Sequence, residues 1–375
     1  MKLLFMDSIE STVYGGMEEW IRLVTAGLAS RGHEITVAGR RGSEFLRRIR
    51  ETTDKASLLE LDITGDFRPD TIARIKRHLR GRRIDIVSVN FNKDVRLGGL
   101  AARLDGSARV VWSVGLDITK DSFIHRWLTP KLVDGVIVPS DSLRKQITRL
   151  GYIPPERVKV IPIGIQDRTI PESRAESAKR LRARYQLPYD CLVAVTSGRL
   201  VDQKGHRYLV EAAPAIIEAV PHIRFLLLGN GPLQGDLEEH MERLGVNEHF
   251  VFAGMLDDLT LELAGADLMV HPSIEEPFGI AVLEGMRAGL PIVASRVGGI
   301  PEVVGEAEAA LLVPPADPEE LARAVIGVLS DGRLREQMSQ SARRRFESDF
   351  RYETMIDRLE AYYRSIIQEA CHGTA

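Results

Sequence analysis

Cysteine is nearly absent: Cys191 and Cys371 are too few for a disulfide framework or a four-thiolate zinc site, which fits a reduced, cytoplasmic compartment. Long apolar runs are missing as well, and none approaches the ~20 residues of a membrane span. The opening MKLLFMDSIE offers only Leu3 to Met6 before Asp7. That is short of the ~7–15 apolar residues at the centre of a signal peptide, so neither an export leader nor an integral membrane protein is expected. The surface of a bilayer stays open to it. Glycine and proline number 32 and 18 in 375 residues, near average usage, which excludes collagen-like and low-complexity chains. Two aspartates spaced as Asp-x-Asp, the usual carboxylate clamp for a metal-bound diphosphate, do not occur.

What is present reads as globular. Hydrophobic residues make up 44% and charged residues 27%, and the length is enough for two or three domains. A net charge of -3 hides an asymmetry: residues 1–170 hold 29 Lys+Arg against 21 Asp+Glu, and the remainder holds 21 against 32. A basic half joined to an acidic half gives the two parts different surroundings. The chain does not read as nucleic acid binding, because the pI is near 6.3 and the Arg-rich stretches lack interleaved aromatics.

Short apolar runs alternate with helical patterns along the whole chain. KLLFMD is followed by a Gly15-Gly16 turn and a helix from about Met17 to Ser30, with Ile21, Leu23, Val24 and Leu28 on its apolar face. EITVAG, IDIVSV, ARVVWSV and GVIVPS follow as strands, the last leading into a helix capped by Ser140 or Asp141. Lys159 to Asp167 reads as a last strand and turn before a charged stretch. The rhythm then restarts with CLVAVTSGRL, IRFLLLGNG, FVFAGM, DLMVHPS, PIVAS and AALLVP. Strands alternating with helices imply parallel sheets covered on both faces, in two doubly wound domains. The last helix, Tyr352 to Gln368, carries Met355, Ile356, Leu359, Tyr362, Tyr363, Ile366 and Ile367, an apolar face that something must cover.

The chemistry concentrates in His271 to Val304, HPSIEEPFGIAVLEGMRAGLPIVASRVGGIPEVV. A loop with Glu275 and Glu276 joins a strand to a helix that begins around Phe278 to Ile280, at the edge where open parallel sheets bind ligands. Free backbone N–H groups at Gly279, Ile280 and Ala281 favour an anion or a ring of hydroxyls, and glycine at 279 admits a close approach. Glu276 and Glu284 lie eight positions apart, about 12 Å at the ~1.5 Å rise of a helix. That is too far for the ~5 Å carboxylate pair of a retaining glycosidase. It suits two ends of one elongated ligand, such as a sugar nucleotide with its hexose, ribose and diphosphate. Arg199 and Lys204 in GRLVDQKG supply cations at the same edge for the diphosphate. Gly15-Gly16 offers N–H groups from the first domain. Each feature alone is commonplace. Their joint occurrence in this order is not.

These residues resemble the retaining glycosyltransferases of the GT-B fold, specifically glycosyltransferase family 4. The resemblance runs from Gly15-Gly16 through VIPIGI and GRLVDQKG to EEPFGIAVLEGMRAGLPIVAS, whose Glu276 and Glu284 match the family's Glu-x7-Glu pattern. It implies an α/β architecture of two Rossmann-like domains facing a cleft, with the C-terminal helix crossing back to the first domain. Residues 1–168 plus 351–375 would then form the acceptor-side domain and 169–350 the nucleotide-sugar domain. It further implies Glu276, Arg199 and Lys204 as catalytic residues, with Glu276 facing the donor sugar. Gly15, Gly16, Phe278, Gly279, Ile280 and Glu284 would bind the donor, Glu284 at the ribose. The implied reaction is metal-independent transfer from a nucleoside diphosphate sugar, such as a UDP- or GDP-sugar, to an acceptor hydroxyl. No cofactor is implied.

Two departures touch the acceptor side. Many members carry a histidine near the position of Ser113 to Gly115, absent here, and His125 further on reads as structural. The usual Pro-Asn-Gly between the domains is Pro162-Ile163-Gly164. The acceptor, whether glycan, lipid-linked or small, is left open, with cell-envelope glycolipid or polysaccharide synthesis the expected setting. FLRRIR (Phe45 to Arg50) and IARIKRHLRGRR (Ile72 to Arg83) are basic helices that suit either a core-facing role or an anionic membrane face. A GT-B-like phosphorylase or epimerase, a non-catalytic nucleotide-binding protein and a dehydrogenase are the competing readings. The last is disfavoured because the first turn lacks a three-glycine fingerprint.

Overall fold

The computed structural model describes residues 1–9, 16–115, 122–168, 172–305 and 309–372. The chain divides into two compact units, Met1–Ile163 with Glu353–Ala375, and Gly164–Tyr352. The sequence reading sets its junction after residue 168.

The first unit alternates β1 (Lys2–Met6), α1 (Gly16–Ser30), β2 (Glu34–Arg40), α2 (Glu44–Thr52), β3 (Ala56–Leu61), α3 (Pro69–Arg82), β4 (Ile86–Val89), α4 (Asn92–Asp105), β5 (Arg109–Ser113), α5 (Phe123–Leu132), β6 (Gly135–Val138), α6 (Asp141–Arg149) and β7 (Val158–Val160). Its strands form one parallel sheet ordered β3-β2-β1-β4-β5-β6-β7. The central strands are buried on both faces, which is why they read as continuous apolar runs. Ser140 caps α6, accepting a hydrogen bond from the Leu143 N–H.

In the second unit the order is α7 (Arg174–Arg184), β8 (Leu192–Ser197), α8 (His206–Ala219), β9 (Ile223–Leu228), α9 (Gln234–Leu244), β10 (Phe250–Gly254), α10 (Thr260–Gly265), β11 (Leu268–His271), α11 (Ile280–Arg287), β12 (Ile292–Ser295), α12 (Ile300–Val304), β13 (Ala310–Val313), α13 (Pro318–Ser330) and α14 (Gly332–Asp349). Its parallel sheet runs β10-β9-β8-β11-β12-β13. Strand order reverses between β1 and β4 in the first sheet and between β8 and β11 in the second. In doubly wound sheets the loops leaving the carboxyl ends of those strands diverge and leave room for a ligand.

The last helix, α15 (Tyr352–His372), belongs almost wholly to the first unit. Met355, Ile356, Leu359 and Tyr363 are buried on it, and the Tyr363 hydroxyl lies 3.4 Å from Ser88 Oγ on β4. Its apolar face is therefore covered by the first unit, as the sequence requires. The apolar stripes of the two basic helices are covered too: Phe45, Leu46 and Ile49 of α2, and Ile75 and Leu79 of α3, are buried.

Candidate active site

At the reversal point of the second sheet, the chain leaving β8 and the chain leaving β11 run side by side. The Ile274 and Glu275 backbone N–H groups both donate to the Gln203 carbonyl, at 2.9 and 3.3 Å. This pairing brings Lys204, which ends a short 3-10 turn (Asp202–Lys204), against Glu276. The Lys204 ammonium donates to Glu276 Oε2 at 2.6 Å, and both side chains are largely shielded.

His271, the last residue of β11, adds a second partner. Its Nε2 lies 3.0 Å from Glu276 Oε2 and 3.0 Å from Ser273 Oγ. Since a carboxylate can only accept, Nε2 carries the proton and donates it. Burial alone would push the Glu276 carboxyl upward. The hydrogen bond and charge of His271, then those of Lys204, outweigh it and hold the carboxyl down at about 2. Glu276 is thus an anion with Oε2 occupied twice, while Oε1 has no protein partner among the described residues.

Two glycines allow this geometry. Gly279 opens α11 with φ +108, a conformation in which a side chain is strained, and leaves the backbone bare at the helix start. Gly298 has φ +51, and a Cβ there would stand 1.8 Å from the Glu276 carbonyl oxygen. The next residue, Gly299, donates its N–H to that same carbonyl at 3.0 Å. The Glu276 loop is consequently pinned by backbone on both sides.

The remaining sequence-derived residues fall as follows. Arg199 follows β8 in an exposed loop, and its guanidinium makes no ion pair among the described residues. The Phe278 ring is buried and packs edge-on against Phe350 at 6.1 Å, so its backbone alone is available to a ligand. Ile280 is the first residue of α11, where N–H groups lack intrahelical partners. Glu284 stands on that helix, partly buried, and its charge acts on Arg287. Glu276 itself precedes the helix, so helical rise applies only from Ile280 onward. The 12 Å spacing expected for a helix spanning both glutamates is not the local geometry. Gly16 begins α1 in the first unit, and Gly15 lies outside the described residues.

Three buried histidine and serine features escaped the sequence reading. His271 and Ser273 lie five and three positions before Glu276, and a histidine at the carboxyl end of a central strand is the signal that could have found them. His206 starts α8, is 4% exposed, and its Nδ1 has no hydrogen-bond partner. Burial, then the charges of His271 and Lys204, lower it to about 4, so it is neutral at physiological pH. At the reversal point of the first sheet, Asp94 accepts from the Phe91 and Ser8 N–H groups, and burial raises its carboxyl to about 7. His125 is buried between Ser122 and Arg96, in keeping with a structural role. No group of three or more His, Cys, Asp or Glu able to hold a metal occurs among the described residues.

The model of the family Glycosyl transferases group 1 matches residues 177–345, and that of Glycosyltransferase Family 4 matches residues 14–168. An uncharacterized glycosyltransferase of Methanocaldococcus jannaschii is 34% identical over 212 residues, 56% of this chain and 54% of that protein. The 2-deoxystreptamine glucosyltransferase of Streptomyces kanamyceticus is 35% identical over 165 residues, 42% of this chain and 43% of that one. The matched stretches thus span about half the length of these relatives. Among solved structures, a glycosyltransferase from Rickettsia africae superimposes with a TM-score of 0.86 at 17% identity over 98% of both chains. Anabaena HepE in complex with UDP gives 0.83 at 21% identity, over 97% of this chain and 100% of that one. At such identities the structural likeness establishes the fold. With two family models that between them take in most of its length, the chain has a GT-B fold and is related to the members of the group 1 and family 4 glycosyltransferase families.

Proposed function

We propose that this chain transfers a sugar from a nucleoside diphosphate sugar to an acceptor hydroxyl with retention at the anomeric carbon, using its own cations for the leaving group. The observation that carries the reading is the buried Glu276 carboxylate, held ionised by Lys204 and His271 beside the bare start of α11. Its Oε1 accepts hydrogen bonds from hydroxyls of the donor sugar. An ammonium has three donors, and Lys204 spends one on Glu276, so the others reach diphosphate oxygens. Arg199 adds a bidentate fork. Phe278, Gly279 and Ile280 present backbone N–H groups to sugar and phosphate, and Glu284 takes the ribose.

In the reaction, the bond from the anomeric carbon to the diphosphate oxygen breaks and its electron pair stays on the diphosphate. The acceptor oxygen bonds to the anomeric carbon on the same face, and its proton passes to a diphosphate oxygen. Lys204 and Arg199 stabilise the charge that grows on the leaving group, where fixed charges lower the barrier most. Solved relatives bound to UDP and to UDP-glucose support a uridine donor. A lipopolysaccharide core biosynthesis glycosyltransferase of Rhizobium meliloti, 32% identical over 176 residues, supports a cell-envelope acceptor. No helix among the described residues is long and apolar enough to cross a membrane. A peripheral contact would use the charged outer sides of α2 and α3, because their apolar stripes are buried.

A panel of UDP- and GDP-sugars, assayed with and without glycan, lipid-linked and small acceptors, tests this reading. Nucleoside diphosphate should appear only when an acceptor is present, survive a chelator, and accompany a product of unchanged anomeric configuration by NMR. Acceptor-independent release or an inverted product would refute it.

A further inference from the structure

We propose that the second unit carries a separate ligand site, for a small phosphorylated anion, in the cavity at the far end of α11. The cavity has a volume of about 520 Å³, is partly open, and is lined by residues of α7, α10, α14 and the end of α11 together with Arg168 and Glu172. That size suits a small molecule rather than a bare ion. Helix α11 begins beside the Glu276 loop and ends at Arg287, and eight residues at ~1.5 Å rise put roughly 12 Å between its two ends. The cavity therefore lies at the opposite edge of the sheet from Glu276 and Lys204.

Its lining is strongly cationic. Arg168, Arg174, Arg287, Arg343 and Arg344 face it, against one carboxylate, Glu172. Two of the five are neutralised: Arg343 grips Asp167 and Glu347, and Arg168 lies 3.2 Å from Asp258. Glu172 is committed to Arg180 at 2.8 Å. The other three make no close ion pair among the described residues, although the charges of Glu284, Asp258 and Asp167 act on Arg287 from farther away. Arg174 donates to the carbonyls of Gly289 and Ala266, and Arg344 to the Ser341 hydroxyl. Arg287 is 8% exposed, and its hydrogen bond among the described residues goes to the Gln166 carbonyl.

Arg287 is a buried guanidinium with no carboxylate in direct contact, which is costly, and the like charges of Arg168, Arg174, Arg343 and Arg344 around the same partly open cavity add to that cost. A bound anion offsets both. Guanidinium forks match phosphate oxygens bidentately, and the apolar wall of Leu263, Ala264 and Ala288 strengthens such bonds by excluding water. Phosphate borne by a free metabolite or by a lipid headgroup shares this chemistry.

The test uses the full chain and inorganic pyrophosphate as probe. Calorimetric titration should show two sites in the wild-type protein. One should be lost in Arg199→Ala/Lys204→Ala, and the other should be weakened at least tenfold in Arg174→Ala/Arg344→Ala. Both residues of the latter pair are exposed, so folding should survive, which the melting temperature checks. Arg287→Lys keeps the charge but not the fork and should weaken the same site severalfold. Flotation with phosphatidylglycerol vesicles, if lost in Arg174→Ala/Arg344→Ala, assigns a lipid headgroup; solution binding without flotation assigns a free phosphorylated compound. A single pyrophosphate site abolished by Arg199→Ala/Lys204→Ala, or equal binding in wild type and Arg174→Ala/Arg344→Ala, would overturn the proposal.

Discussion

Lys204 and Glu276 neutralise each other across 2.6 Å, and that pairing decides what each can do. Removing the ammonium leaves a buried carboxylate supported by His271 alone, so Lys204→Met should raise the Glu276 pKa as well as strip a cation from the leaving group. We expect a turnover loss of about 10²–10³, the scale of one lost electrostatic stabiliser. The accompanying loss of donor affinity should be clearly smaller, as comparison of kcat with a directly measured donor Kd will show. Equal losses in both would mean that Lys204 serves ground-state binding only. His206 makes a different prediction, about stability. Its folded pKa lies near 4, below the value of ~6.5 for a free imidazole. As pH falls from 6.5 toward 4 the unfolded chain takes up a proton that the folded chain refuses, so stability declines across that window and levels off below it. His206→Phe should flatten this part of the melting temperature against pH profile, and an unchanged slope would contradict the buried neutral histidine.

At the scale of elements, the site is a product of two loops and one turn. Gly298 shows how tightly they fit, since a Cβ there would sit 1.8 Å from the Glu276 carbonyl. The obstacle is backbone, which cannot rotate away, so Gly298→Ala must displace the loop that carries Glu276. We expect donor binding to fall at least tenfold in titration calorimetry while far-UV circular dichroism stays native. Most of this frame was legible beforehand. Central strands announce themselves as apolar runs because helices cover both faces, and the Glu276 to Glu284 block marks its own strand, loop and helix. Strand β3 (Ala56–Leu61) was missed because it lies at the sheet edge, where ASLLEL is only half buried and Glu60 breaks the apolar run. The sequence sets Lys204 and Glu276 at one edge, but their direct contact and the part of His271 in it were hidden. Lys204 and Glu276 are 72 positions apart, and only the reversal of strand order between β8 and β11 makes them neighbours. No local periodicity encodes that.

Across the whole molecule, the units are not two halves of the chain, because α15 closes the core of the first unit from the far end of the sequence. Leu359 and Tyr363 are fully buried there, and Arg31, in the turn just after α1, holds Asp357 and Glu360 of α15 at 2.6 and 3.1 Å. The ion pairs are partly exposed and contribute little; the apolar face carries the docking. Leu359→Ala deletes buried methyl groups from a packed interior, a change that costs about 2–5 kcal/mol depending on how far the cavity relaxes. That cost belongs to the first unit alone, since each unit has its own core. Native-state hydrogen exchange resolves the two. Leu359→Ala should speed exchange in β1, β4 and β5 while leaving β8, β9 and β11 near their wild-type rates. Val325→Ala, at a fully buried position of α13 in the second unit, should do the reverse. Uniform acceleration by either substitution would mean that the two cores unfold as one cooperative body, and α15 would then be a strap for the entire chain rather than a late-arriving part of one unit.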